Sequence, residues 1–153
     1  MNSRLSKSSI LHACTIKQQM TISDFEKEVA RLKSEVTTRD ESASQGNRGA
    51  SEQNELLVRM EHELLFLRNE LMTLGNIDPD LICEEIEVGA VVVTDQRIFF
   101  VSTSIESVDI NEKSVFGLSV HAPIYAEMKG KKKGELIEYN GLRYKILDVY
   151  WFS

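Results

Sequence analysis

Leu57, Met60, Leu64, Leu67, Leu71 and Leu74 recur at intervals of three and four. That spacing lines apolar side chains along one side of a helix and leaves a seam that must be covered. A second run, Ile22, Phe25, Val29, Leu32 and Val36, repeats the pattern. From Leu5 to Leu74 there is no proline, and glycine occurs only at Gly46 and Gly49. The spacing therefore predicts two helical arms that fold back antiparallel and bury their seams on each other. Leu5, Leu11 and Cys14 fit the seam of the first arm less well. If that arm runs from Leu5 to Thr38, a rise of ~1.5 Å per residue makes a rod of roughly 50 Å. The turn, TTRDESASQGNRGASEQNE, is rich in Ser, Gly and Asn, which resist a full helix and place the hairpin tip near residues 39–52. Ser51 is the expected cap of the second arm, with Glu55 in its first turn. Periodicity alone is equally satisfied by a dimerising coiled coil or a spacer.

After residue 76 the period changes. Asp78 and Pro79 predict the start of a short helix over Pro79–Ile86, with Asp as cap and Pro in the first turn. AVVVTDQRIFFVST reads as two strands around a turn at Asp95 and Gln96, and SVFGLSV as a third. In LIEYNGLRYKILDVYWF, Asn140 and Gly141 tolerate the positive φ of a type I′ turn between β-rich runs, which predicts a hairpin. APIYAEMKG predicts a short amphipathic helix with Pro123 near its start and Gly130 at its end. The expected architecture is α+β: an antiparallel helical hairpin over 1–76, then a small, mainly antiparallel sheet domain over 77–153.

Composition excludes several classes of function. With 42% apolar and 27% charged residues in 153, the chain can bury a core. A formal charge of −6 argues against a protein that holds nucleic acid mainly by neutralising phosphates. No stretch approaches the length of a membrane span, and the N-terminus lacks the apolar core of a signal peptide, so the expected location is cytoplasmic. Cys14 and Cys83 have no second Cys or His at metal-ligand spacing, His12, His62 and His121 are scattered, and no nucleophile-elbow, Walker or dinucleotide fingerprint occurs. No catalytic centre and no bound metal are expected.

The segment HAPIYAEMKGKKKGELIEYNGLRYKIL places four lysines in the five positions 129–133. A Walker loop leaves a strand and enters a helix, whose N–H groups cradle phosphate. Here the order is reversed, from helix to strand, so the lysines meet helix carbonyls and the loop is no nucleotide cradle. Gly130 as helix cap and Gly134 as turn residue explain the residue types without a ligand.

The longer segment SVHAPIYAEMKGKKKGELIEYNGLRYKILDVY, from Ser119, resembles the C-terminal part of the Gre family of transcription elongation factors. Ser119, Ala122, Pro123, Ile124, Met128, Gly130, Lys131, Gly134, Glu135, Tyr144 and Ile146 match that family's pattern in order. VGAVVV from Val88 resembles its entry strand, and GNID from Gly75 its junction between coiled coil and globular domain. The likeness covers residues 75–150; before that only architecture and length correspond. It implies an FKBP-like fold without prolyl isomerase activity, docked at the rim of the RNA polymerase secondary channel, with the coiled coil reaching inward. Ser119, His121, Pro123 and Ile124 fall on the docking region. In such factors two acidic residues at the tip help hold a magnesium ion in the polymerase, because magnesium takes hard oxygen ligands. An ungapped count from NID puts those two positions on Ala43 and Gly46, which have no such ligand. Asp40, Glu41 and Glu52 are the nearest carboxylates, and Arg39 and Arg48 lie beside them.

The reading is a non-enzymatic, monomeric regulator that binds RNA polymerase core, without stable nucleic-acid or membrane binding of its own. The alternatives are a true cleavage factor using Asp40 or Glu41, sharing the polymerase's magnesium, and a hairpin adaptor that no longer binds polymerase. A prolyl isomerase is disfavoured, since Phe99, Phe100, Phe116, Tyr125 and Trp151 are few aromatics for such a pocket.

Overall fold

The computed structural model describes residues 5–42, 48–80 and 83–150. The chain forms two compact units, Gln18–Leu71 and a second made of Met1–Lys17 with Met72–Ser153. Helix α1 spans Lys7–Ser42 and α2 spans Arg48–Gly75, so α1 contributes to both units.

In the hairpin unit the predicted seam closes. Ile22, Val29 and Leu64 are buried together, with Phe25, Leu57, Met60, Leu67 and Leu71 packed around them. The polar pairs report the register: Glu26 meets Arg68 at 2.8 Å and Lys33 meets Glu61 at 3.8 Å, so advancing along α1 means retreating along α2. Buried Gln18 donates its side-chain N–H to the Leu67 carbonyl at 2.9 Å, which satisfies an amide that the seam would otherwise strand. The helices run closer to the turn than the sequence suggests. α1 continues through Ser42 and α2 begins at Arg48, upstream of the predicted cap Ser51. The helical hydrogen-bond ladder thus extends into a stretch whose composition alone favours a turn.

The other unit carries six strands: β1 Val91–Thr94, β2 Ile98–Ser102, β3 Val108–Ile110, β4 Lys113–Ser119, β5 Leu136–Tyr139 and β6 Leu142–Tyr150. Their order is β3-β4-β2-β1-β6-β5, and only β2 with β4 is parallel. Together with the helices this is the expected α+β fold. The β1–β2 turn forms as predicted, locked by Thr94, whose Oγ1 accepts from the Arg97 N–H at 2.9 Å. Asn140 and Gly141 have φ of 52° and 77°, as the type I′ hairpin requires.

Two elements depart from expectation. A short strand, β3, pairs with β4 across Asn111 and Glu112, both at positive φ. The predicted helix over Pro79–Ile86 is not helical in its described residues. Asp78 instead accepts from the Asp80 N–H at 2.9 Å in a local turn. Farther on, Ile86 exchanges backbone hydrogen bonds with Lys131 and Gly130, at 2.8 and 3.0 Å, and Glu85 bridges Lys132. Pairing with another segment consumes the groups a helix would have used.

Around β1 and β2 the sheet is buried on both faces. One face packs Val92, Phe99, Val101, Ile137, Tyr144, Ile146 and Val149 under Tyr125 and Met128, with Phe99 and Tyr144 edge to face at 6.1 Å. On the other, Val91 lies opposite both Phe100 and Tyr150, and all three are buried. The start of the chain reaches that face. Leu5 donates its N–H to the Tyr150 hydroxyl at 2.9 Å, Lys17 donates to the Ser107 carbonyl at 3.0 Å, and Leu5, Ile10 and Cys14 between or beside them are buried. The sequence reading ended the helical hairpin at residue 76 and counted the first seventeen residues with it. In the structure the described part of that stretch, residues 5–17, belongs with the sheet. Their spacing misfits the hairpin seam because they answer to a different surface.

Burial pushes the Cys14 thiol up from 9.0 to about 11. An acid whose folded pKa exceeds its unfolded value stabilises fully below the unfolded pKa and loses that contribution as pH rises toward the folded one. Between pH 9 and 11 the Cys14 thiol is therefore expected to withdraw about 2–3 kcal/mol. Urea titrations across that range should show a shallower loss for Cys14→Ala than for the parent. Equal slopes would contradict the assignment.

Candidate functional site

Strand β4 ends at Ser119, and the chain turns at once into helix α3, Pro123–Met128. The Ser119 hydroxyl accepts from the His121 N–H at 3.0 Å, and the Ser119 carbonyl accepts from the Ala122 N–H at 3.0 Å. These two bonds fix the direction in which the helix starts. Pro123 sits in the first turn, where a missing N–H costs nothing and a preset φ helps. Tyr125 and Met128 enter the core, and Ala122 and Ile124 pack against it. His121 and Pro123 remain exposed, while Ser119 and Ile124 are half-buried. The four predicted docking residues thus form one continuous corner with an apolar base and two exposed members. Burial and the neighbouring Glu87 carboxylate push the Tyr125 phenol up, so it stays protonated.

Beyond α3 the lysine loop is held from within. Gly130 and Gly134 have φ of 79° and 93°, which a side chain would strain. The N–H groups of Gly130, Lys131 and Gly134 donate to Ile86, Met128 and Ile146 carbonyls, and Lys132 N–H donates to the Glu135 carboxylate at 2.6 Å. A phosphate cradle needs free, converging N–H groups, and these four are spent on the fold. The sequence expectation of a capped helix and a turn describes what is seen.

The backbones of Asp40 and Glu41 lie in the last turn of α1, and their side chains lie outside the described residues, as do Ala43 and Gly46. Glu52 is on α2 and exposed. Among the described residues no group of three His, Cys, Asp or Glu could hold a metal ion. None of the described helices is long and apolar enough to cross a membrane. Trp151 lies outside the described residues; of the other aromatics, Phe99, Phe100 and Tyr125 are core residues, and Phe116 carries the Arg97 guanidinium over its ring at 4.8 Å.

Sequence reasoning did not find the contact of Lys7 with Cys83. Lys7 is fully buried in the sheet unit, its Nζ 3.8 Å from the Cys83 sulfur. The two residues are 76 positions apart, and no local signal joins them.

No protein-family model matches the chain, and no curated protein sequence matches it. Among solved structures the chain is similar to the crystal structure of GreA factor homolog 1 (Gfh1) of Thermus thermophilus. Identity is 12%, over 90% of this chain and 95% of that one, with a TM-score of 0.38. A second structure, of the transcription factor Gfh1, gives 14% identity over 90% and 93%, also with a TM-score of 0.38.

Proposed function

We propose that this protein is a Gre-like regulator of transcription that binds RNA polymerase and occupies its secondary channel. In this reading the sheet unit docks through the corner of Ser119, His121, Pro123 and Ile124, and the helical hairpin enters the channel. The observation that carries it is the ordered match from Ser119 to Ile146, because its residues are those that shape one corner of the fold: a hydroxyl that locks the turn, a proline that starts the helix, a glycine just past its end and another in the turn that follows. The protein is not itself an enzyme. Ala43 and Gly46 at the tip positions supply no carboxylate for magnesium, which supports regulation without stimulated transcript cleavage.

Affinity capture tests the first half. Immobilised chain should retain polymerase core at low salt, and a His121→Glu, Pro123→Asp double variant should bind about tenfold or more weakly, as for loss of a docking anchor. Failure to retain polymerase refutes the reading. A cleavage assay on backtracked complexes tests the second half. The parent, Asp40→Ala and Glu41→Ala chains should all leave cleavage at the polymerase's own rate. Stimulation by the parent, lost in either variant, would establish the cleavage-factor alternative instead.

A further inference from the structure

Lys7 and Cys83 are both fully buried, and the amine nitrogen lies 3.8 Å from the sulfur. A lysine with no exposed surface is rare, since its charge must be given up or compensated. Asp78 and Glu87 lie close enough to act on Lys7, and Glu87 also faces Cys83. Lys7 opens the first helix, while Cys83 follows the second, so the contact joins the two chain segments that make up the sheet unit.

We propose that Lys7 and Cys83 form an oxidation-dependent covalent bridge, a sulfenamide made when a peroxide reaches the pair. In the first step the thiol sulfur attacks hydrogen peroxide. The O–O bond breaks, an S–O bond forms, and the thiol proton leaves with the departing oxygen as water, giving a sulfenic acid. In the second step the unprotonated form of the Lys7 amine attacks that sulfur. An N–S bond forms, the S–O bond breaks, and the hydroxyl leaves as water with one amine proton. Sulfur loses two electrons overall, peroxide gains them, and the protein loses two hydrogen atoms.

The surroundings suit each step. Burial lowers the Lys7 pKa, which favours the neutral, nucleophilic amine. Burial also pushes the Cys83 thiol up, so the first oxidation is slow. The amine, already in contact, then captures the sulfenic acid before a second peroxide can enter. The flexible lysine stem closes the remaining gap. Once made, the bond closes a loop across the 76 positions between the residues and constrains the unfolded chain. A thiol reductant reverses it.

Peptide mapping by mass spectrometry after peroxide treatment reads the bridge directly. The folded chain should give a cross-linked pair of peptides containing Lys7 and Cys83, lighter by two hydrogens than their sum and released by dithiothreitol. A Cys14→Ser chain should give the same product, which separates it from a Cys14–Cys83 disulfide of equal mass change. Lys7→Arg should abolish the link and leave Cys83 to run on to sulfinic acid, two oxygens heavier. The inference is overturned if the unaltered chain yields Cys83 only as thiol, as sulfinic acid, or joined to Cys14. The map on the unaltered chain decides the matter even if a variant fails to fold.

Discussion

Phe100→Ala is expected to destabilise the sheet unit by about 3–5 kcal/mol, a large part of the ~5–15 kcal/mol that holds a typical domain together. Phe100 is 0% exposed, on β2 next to the middle of the sheet. It lies opposite Val91 on one side and Gly117 on the other. The face it occupies is the one that the start of the chain reaches through the Leu5–Tyr150 hydrogen bond. Truncation leaves a cavity against a sheet that cannot bend inward without breaking its ladder. Urea denaturation followed by circular dichroism should show the midpoint fall. A loss below about 1 kcal/mol would mean that this face is not packed as described.

Gly117→Ala tests the same region by addition. A Cβ at Gly117 would lie 2.5 Å from the Thr103 carbonyl oxygen and 2.8 Å from the Ile105 Cβ. The nearest obstacle is backbone, held in place because Gly117 itself donates its N–H to the Ile105 carbonyl at 3.0 Å. No rotamer change relieves the overlap, so strand and loop must separate. We expect a cost of about 3 kcal/mol, at the upper end for an added methyl group. Gly75→Ala is the matched control. Nothing lies within 4 Å of its added Cβ, and it should leave stability unchanged or slightly raised. Equal effects at the two glycines would contradict the close approach of loop and strand.

The parts of this fold that were legible in the sequence are those written in local chemistry. The leucine seam, the Asn140–Gly141 turn, the Pro123 helix start and the Gly130 and Gly134 conformations each depend on neighbours within a few residues. The misses depend on partners far along the chain. Asp78–Pro79 carries a helix-start signal, yet Ile86 finds its hydrogen bonds at Gly130 and Lys131. Ile10 and Cys14 sit on a helix that continues into the hairpin, and Leu5 just precedes it, so continuity of the chain groups them with the hairpin although they pack with the sheet unit. One sign was present: VVVT at Val91 does not alternate, which is how a strand buried on both faces reads. A second cover for the sheet was implied there, and the leftover apolar positions at the N-terminus were available to supply it.

The candidate site divides in the same way. Ser119, His121, Pro123 and Ile124 are close in sequence and share one corner of the fold, so their grouping is legible in the motif, while a docking role for them is a proposal. The Lys7–Cys83 contact arises only when the start of the chain returns to the sheet unit.

Competition bears most directly on the central claim, that this protein occupies the polymerase secondary channel. Backtracked complexes are given a Gre cleavage factor, and the rate of transcript shortening is followed as this chain is added. The account predicts that cleavage falls progressively toward the polymerase's own rate, and that the His121→Glu, Pro123→Asp double variant needs about tenfold or more protein for the same effect. Undiminished cleavage at a large excess of the chain would contradict it.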